Sequence, residues 1–163
     1  AISAAAKAEE LALISDLFGA DLNASTISSD DRDGSKCQAK LLKQTQKILE
    51  TQAKLFARCA KDGLKGKPAL MLTAADLEGC FEVVSADEKG RVAKAVGKFA
   101  RILARCPTDL VPVLPGGCGT APDATSCLAV RASCRFCNLH ADIHDLSVDC
   151  DSFDDGQGNA SCP

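Results

Sequence analysis

Residues 127–150, CLAVRASCRFCNLHADIHDLSVDC, hold four of the ten cysteines and both histidines of the chain. Whether these groups gather a metal or staple to one another decides the fold. Cys127, Val130, Cys134, Cys137 and Ala141 recur at helical steps, so one stripe of one helix carries three cysteines. Cysteines three apart on a helix do not bridge one another comfortably. Three more, Cys118, Cys150 and Cys162, fall outside that helix. Three inside and three outside give three staples. Cys118 precedes the helix and reaches its first turns at Cys127. The departing chain returns along it, bringing Cys150 to Cys137 and Cys162 to Cys134.

The metal alternative is Cys134-x-x-Cys137-x-x-His140-x-x-x-His144, a set of donors that zinc accepts. One continuous helix face surrounds a tetrahedral ion poorly, and the site would strand two cysteines unpaired. Covalent haem needs Cys-x-x-Cys-His, and Asn138 stands where that histidine belongs. A redox dithiol draws its low pKa from a helix N-terminus, whereas this pair sits mid-helix. His140 and His144 then read as exposed polar residues.

Upstream, the second helix is the clearest element. Ser35 is its expected cap and Gly63 its stop, with Cys37, Leu41, Thr45, Ile48, Gln52, Leu55 and Cys59 on one stripe. Thr73 with Asp76 marks a short helix ending near Val84. Ser85 with Glu88 forms a capping-box pattern before a third long helix striped by Val92, Val96, Phe99, Leu103 and Cys106. In an antiparallel hairpin the outer cysteines meet and the inner ones meet, which predicts Cys37–Cys106 and Cys59–Cys80. Before the hairpin, a helix from Ser3 to Phe18 stops at Gly19, with Leu11, Ile14, Leu17 and Phe18 on one face. After it, the Pro/Gly-rich stretch 107–122 is an extended connector, and Pro122 and Asp123 start the cysteine-bearing helix, which ends near Ile143.

The expected fold is therefore all-α: a disulfide-stapled antiparallel helical hairpin or bundle with an irregular cysteine-rich C-terminal segment. It divides into an amphipathic helix and polar connector (1–35), the stapled hairpin (36–106), and the connector with the cysteine-rich helix and loop (107–163). The 163 residues include six Phe but no Trp or Tyr, so burial alone stabilises the fold weakly and disulfides compensate. Ten cysteines indicate an oxidising compartment, secreted, extracellular or periplasmic. The numbering opens at Ala1 without Met, which reads as a mature chain after signal-peptide removal. No apolar run approaches the roughly 18–20 residues that span a bilayer.

The net charge of −3 hides blocks of −5 in residues 1–35, +8 in 36–106 and −6 in 107–163. A basic middle between acidic ends is expected to neutralise itself within one fold; the alternative is that it steers copies of the chain head to tail. The near absence of stacking aromatics and the acidic total argue against a nucleic-acid partner.

Two acidic stretches are candidate calcium sites. Ser29, Asp31, Asp33 and Gly34 match the start of a calcium loop, but Lys40 stands where a bidentate carboxylate is needed, so a capping turn is expected. In the tail, Asp149, Asp151, Asp154 and Asp155 crowd a short loop, but Phe153 occupies a ligand position; a solvated acidic turn is expected, with calcium the only cofactor candidate. Asn23 and Asn159 open N-x-S triplets.

The hairpin with terminal cysteines, followed by CRFCNLHADIHDLSVDCDSFDDGQGNASC, resembles cysteine-rich secreted proteins of environmental bacteria, including myxobacteria-like groups. The resemblance covers roughly residues 36–162 and rests on cysteine spacing and the DCD-x-FDDG…N-x-SC ending. It implies an extracytoplasmic bacterial location and unglycosylated asparagines, and it carries over no catalytic residue. Together these features point to an extracellular structural or assembly protein, a subunit of a filament, sheath or surface layer that self-associates. The alternative is a small secreted binding module for a protein, a ligand or calcium. Enzymatic chemistry is not expected, since only the histidines with Asp142 or Asp145 offer acid–base groups and no nucleophile motif accompanies them.

Overall fold

The computed structural model describes residues 2–27, 30–106, 113–119, 121–153 and 162. Its spine is α3 (Arg32–Gly63), whose 32 residues run about 48 Å at ~1.5 Å per residue. The stripe Cys37, Leu41, Thr45, Ile48, Gln52 and Phe56 is buried along its whole length. Three polar residues on that stripe find partners: Gln44 Nε2 donates to the Ala95 carbonyl (3.0 Å), Thr45 Oγ1 to the Leu41 carbonyl (3.0 Å), and Gln52 Nε2 to Ser133 Oγ (3.0 Å). Around the spine lie α1 (Ile2–Phe18), α2 (Leu22–Ser25), α4 (Ala74–Ala86), α5 (Arg91–Leu103) and α6 (Ala124–His144). Single 3₁₀ turns at Gly117–Gly119 and Cys150–Phe153 flank α6. The described residues contain no strand, and none of their helices is long and apolar enough to cross a membrane.

Two clusters make the core. Leu41, Ile48 and Phe99 meet Leu13, Leu17, Leu114 and Leu128 beside the N-terminal half of α3. Phe56, Phe81, Val84 and Phe136 gather with Cys80, Cys137 and Cys150 beside its C-terminal half.

The cysteines staple this arrangement. The structure joins Cys37 to Cys106, Cys59 to Cys80, Cys118 to Cys127, Cys134 to Cys162 and Cys137 to Cys150, with Cα atoms 5.4–5.7 Å apart. These are the five pairs that the helix geometry gave.

Several local expectations are corrected. Asp31, not Ser35, caps α3: its carboxylate accepts from Gly34 N (2.9 Å), while the Ser35 hydroxyl donates back to the Arg32 carbonyl. A carboxylate one turn earlier meets the N-terminal amide donors first and starts the helix four residues sooner. The first calcium-loop candidate is thereby consumed, because Asp33, Gly34 and Lys40 are helical; Ser29 lies outside the described residues. The Ser85–Glu88 box does not form either, since α4 continues through Ser85 to Ala86. Asp87 takes its place. With φ at +38°, it aims its carboxylate at Arg91 N (2.8 Å) and Ala93 N (2.9 Å) and caps α5 from outside. The Thr73–Asp76 capping box is present at the start of α4.

The first helix is not spare. Leu13, Leu17 and Phe18 are buried, whereas Leu11 is 44% exposed, because α1 lies on α6 with the face centred on Leu13 and Leu17. Arg135 of α6 reaches Glu9 (3.4 Å) and Asp16 (3.3 Å) and clamps the two helices together. Gly19 ends α1 at φ +81°, a backbone state that a β-carbon strains. α1 is therefore part of the packed fold. The connector after α5 is also more than a tether. Its residues 107–112 and 120 lie outside those described, but Val113, Leu114 and Cys118 are buried, and Gly116 N donates to the Leu17 carbonyl (2.8 Å).

Candidate functional site

Both thiols of the zinc candidate are spent on disulfides, Cys134 to Cys162 and Cys137 to Cys150. Sulfurs bonded to sulfur are not thiolate ligands, so Cys134, Cys137, His140 and His144 do not form that site. The histidines join an aromatic cluster instead. The His140 ring lies 4.6 Å from Phe56 and 4.7 Å from Phe136, with His144 5.8 Å away. No hydrogen bond among the described residues joins either imidazole to Asp142 or Asp145, and His140 Nδ1 is buried without a partner. The expectation that both histidines are simply exposed is corrected for His140. One turn of helix carries it from Phe136 onto the phenylalanine cluster.

Burial pushes the His140 imidazole down to about 4 from the ordinary 6.5, and neighbouring His144 adds to the shift. The folded state thus favours the neutral ring. This contribution is fully present above about pH 6.5 and is lost as pH falls toward about 4. Discounted for the part of the ring that faces solvent, it amounts to about 1–2 kcal/mol. His140→Leu removes the unpartnered nitrogen. Urea unfolding at pH 7 and pH 4.5 is expected to show a smaller acid loss in that variant than in the wild type. Equal losses in both would exclude the assignment.

The tail carboxylates meet amide donors. Asp149 accepts from Asp151 N (3.2 Å), and Asp151 accepts from Cys162 N (2.9 Å). Asp154 and Asp155, the other half of the calcium candidate, lie outside the described residues, as does Asn159. Asn23 is exposed on α2. No cluster of three or more potential ligands suited to a metal occurs among the described residues.

The features that stand out are two hollows of opposite charge. One, of about 440 Å³, surrounds the Cys37–Cys106 staple and is lined by Lys36, Lys40 and Arg105, with Asp33 the one acid. None of the three cations has an ion-pair partner among the described residues. Arg101, one turn before Arg105, lies on the α5 end nearest this hollow, and α5 carries no acid. Further along α3 the charge neutralises itself: Lys47 and Lys54 both bond Glu50 and hold its carboxyl down at about 2. The other hollow, of about 700 Å³, lies between α4 and residues 147–153 and is lined by Glu78, Glu82 and Asp149 with no basic residue. Glu78 accepts from Ser147 N there (3.3 Å). Cys37, on the basic hollow, and Cys59, which ties α4 to α3, are about 33 Å apart along α3 at ~1.5 Å per residue.

Sequence blocks gave the basic middle but missed this division. The middle block includes α4, whose acids Glu78 and Glu82 face away from the lysines only once the hairpin is folded. A window ending between α3 and α4 would have caught it. Also missed was the salt-bridged clamp of Arg135 with Glu9 and Asp16, which brings together residues more than a hundred positions apart.

No protein-family model matches this chain, and neither a search of curated proteins nor one of solved structures returns a match. The fold defines it as a disulfide-stapled all-α protein.

Proposed function

We propose that the chain is an extracytoplasmic structural subunit that self-associates head to tail, the basic hollow of one copy meeting the acidic hollow of the next. The observation that carries this reading is the pair of oppositely charged hollows on one chain: Lys36, Lys40 and Arg105 around the Cys37–Cys106 staple, and Glu78, Glu82 and Asp149 between α4 and residues 147–153. Two different surfaces on one chain make a heterologous contact, which grows into rings or open filaments rather than stopping at a dimer. Five disulfides suit an oxidising, secreted or periplasmic setting in which such a subunit must persist.

Light scattering over a concentration series tests the reading. At low salt the average mass is expected to rise with concentration. At about 0.5 M salt it falls to the monomer, because charges facing across an exposed contact are screened within a few ångströms. A monomer at every concentration in low salt would refute it.

A further inference from the structure

Between α3 and α4 the chain runs through GLKGKPALML, residues 63–72. The described residues leave five large hydrophobic side chains exposed, and three are here: Leu64 at 71%, Leu70 at 55% and Leu72 at 78%. Lys61, Lys65 and Lys67 are interleaved with them, and none has an ion-pair partner among the described residues. Exposed apolar side chains gathered at one place and rimmed by charge mark an interaction surface.

This loop is built. Lys65 N and Lys67 N both donate to the Asp62 carbonyl (3.0 Å each), while Gly66 N (2.9 Å) and Met71 N (3.1 Å) both donate to that of Gly63. The Met71 side chain lies against Gly63 so closely that a β-carbon there has no room. Met71 is thus the anchor, and its neighbours Leu70 and Leu72 stay exposed on either side of it. The Cys59–Cys80 staple closes the base. The leucines are held out by an ordered scaffold, so presenting them to a partner costs little further ordering. The surface also continues inward: Leu64 and Lys65 line a hollow of about 470 Å³ with Phe56, Ala60, His140 and His144.

We infer that the 63–72 loop docks the protein on an anionic lipid surface. Leu64, Leu70 and Leu72 enter the boundary of the acyl layer, and Lys61, Lys65 and Lys67 meet the headgroup phosphates. The charge favours lipid over an apolar protein socket. Lys65 and Lys67 stand between Leu64 and the apolar run 68–72, so an apolar socket that covered the three leucines would also bury unpaired cations. A headgroup layer above acyl chains accepts both kinds of side chain at once. This inference does not rest on head-to-tail assembly, and its surface contains none of the residues invoked there.

The test is flotation of the intact, oxidised protein with vesicles of equimolar phosphatidylcholine and phosphatidylglycerol, beside vesicles of phosphatidylcholine alone. The wild type is expected to float with the anionic vesicles and far less with the neutral ones. Leu70→Ser with Leu72→Ser is expected to weaken binding at least about 10-fold, since each removes a leucine from the acyl boundary. Lys65→Glu with Lys67→Glu is expected to weaken it about 25-fold or more. These four side chains are exposed, and an unchanged helical circular dichroism spectrum checks that each variant folds. Lys43→Glu with Lys98→Glu, exposed on α3 and α5 away from the loop and outside both hollows, is expected to leave flotation within about twofold. The inference is overturned if the wild type floats with neither vesicle, or if the leucine variant floats as well as the wild type. It is equally overturned if only the Lys43/Lys98 variant loses binding, or if the loop variants change self-association while no vesicle is bound.

Discussion

Full reduction at neutral pH, with each thiol alkylated as it opens, is expected to abolish cooperative unfolding and most of the helical signal. The reason is the balance between a lean core and long closed loops. The core holds six Phe at most and no Trp or Tyr, and many of its buried positions are Ala or Cys. Domains of this kind keep a net stability of about 5–15 kcal/mol. In the loop-entropy description, the Cys37–Cys106 staple, spanning 69 residues, contributes about 4 kcal/mol, and Cys118–Cys127, spanning 9, contributes about 3 kcal/mol. Losing all five together exceeds what the core has in reserve. Single pairs should follow the loop lengths. Cys37→Ala with Cys106→Ala is expected to lower Tm by roughly 8–16 °C, and more than the same change at Cys118 and Cys127. Circular dichroism on the oxidised, reduced and alanine-paired forms reads all of this. A reduced and alkylated protein that still melted cooperatively within a few degrees of the oxidised one would show that packing alone holds the fold.

That dependence explains how much of the molecule was legible in its sequence. Cysteine spacing on amphipathic helices is a strong record of geometry. Cys37 sits near the start of α3 and Cys106 just past the end of α5, while Cys59 near the end of α3 meets Cys80 on α4, and an α5 that runs back antiparallel to α3 satisfies both. Caps were less legible, because several polar residues compete for the same amide donors. Asp31 outruns Ser35 by lying one turn earlier with a full charge, and Asp87 displaces Ser85 by entering the left-handed backbone region, which no spacing rule anticipates. On α1, Ile14, Leu17 and Phe18 face the core as expected, and only the edge of the face differs, with Leu13 in place of Leu11. Leu11, Leu13, Leu17 and Phe18 allow two overlapping stripes, and only the clamp of Arg135 on Glu9 and Asp16 selects the one centred on Leu13. The exposed reading of His140 follows from setting the metal and haem roles aside, yet its surroundings come partly from Phe56, more than eighty residues away. Of the candidate site, the charge blocks were visible. Their division into two hollows was not, since it depends on α4 folding back beside the end of α3 that lies far from Lys36 and Lys40.

A charge exchange between those hollows is expected to give the largest functional effect. Lys36→Glu, Lys40→Glu and Arg105→Glu together turn the basic hollow acidic, so the chain carries two acidic ends. Glu78→Lys with Glu82→Lys does the reverse and leaves two basic ends. Like charges set face to face cost several kcal/mol, so either variant alone is expected to stay monomeric at low salt, its association weakened about 100-fold or more. Mixing the two restores assembly for a specific reason. The untouched acidic hollow of the first variant meets the untouched basic hollow of the second, so one of the two contacts is the native one. The second contact has the native shapes with the charges exchanged. The mixture should therefore scatter like the wild type, reach its maximum at equal amounts, and disperse as salt rises past the range where screening is effective. Recovery on mixing also shows that both variants are folded, which a simple loss of association would not. If each variant alone assembles as the wild type does, the hollows are not the contact. If neither assembles and the mixture does not recover while both keep wild-type helical spectra, complementary charge between these two ends is not what joins the subunits.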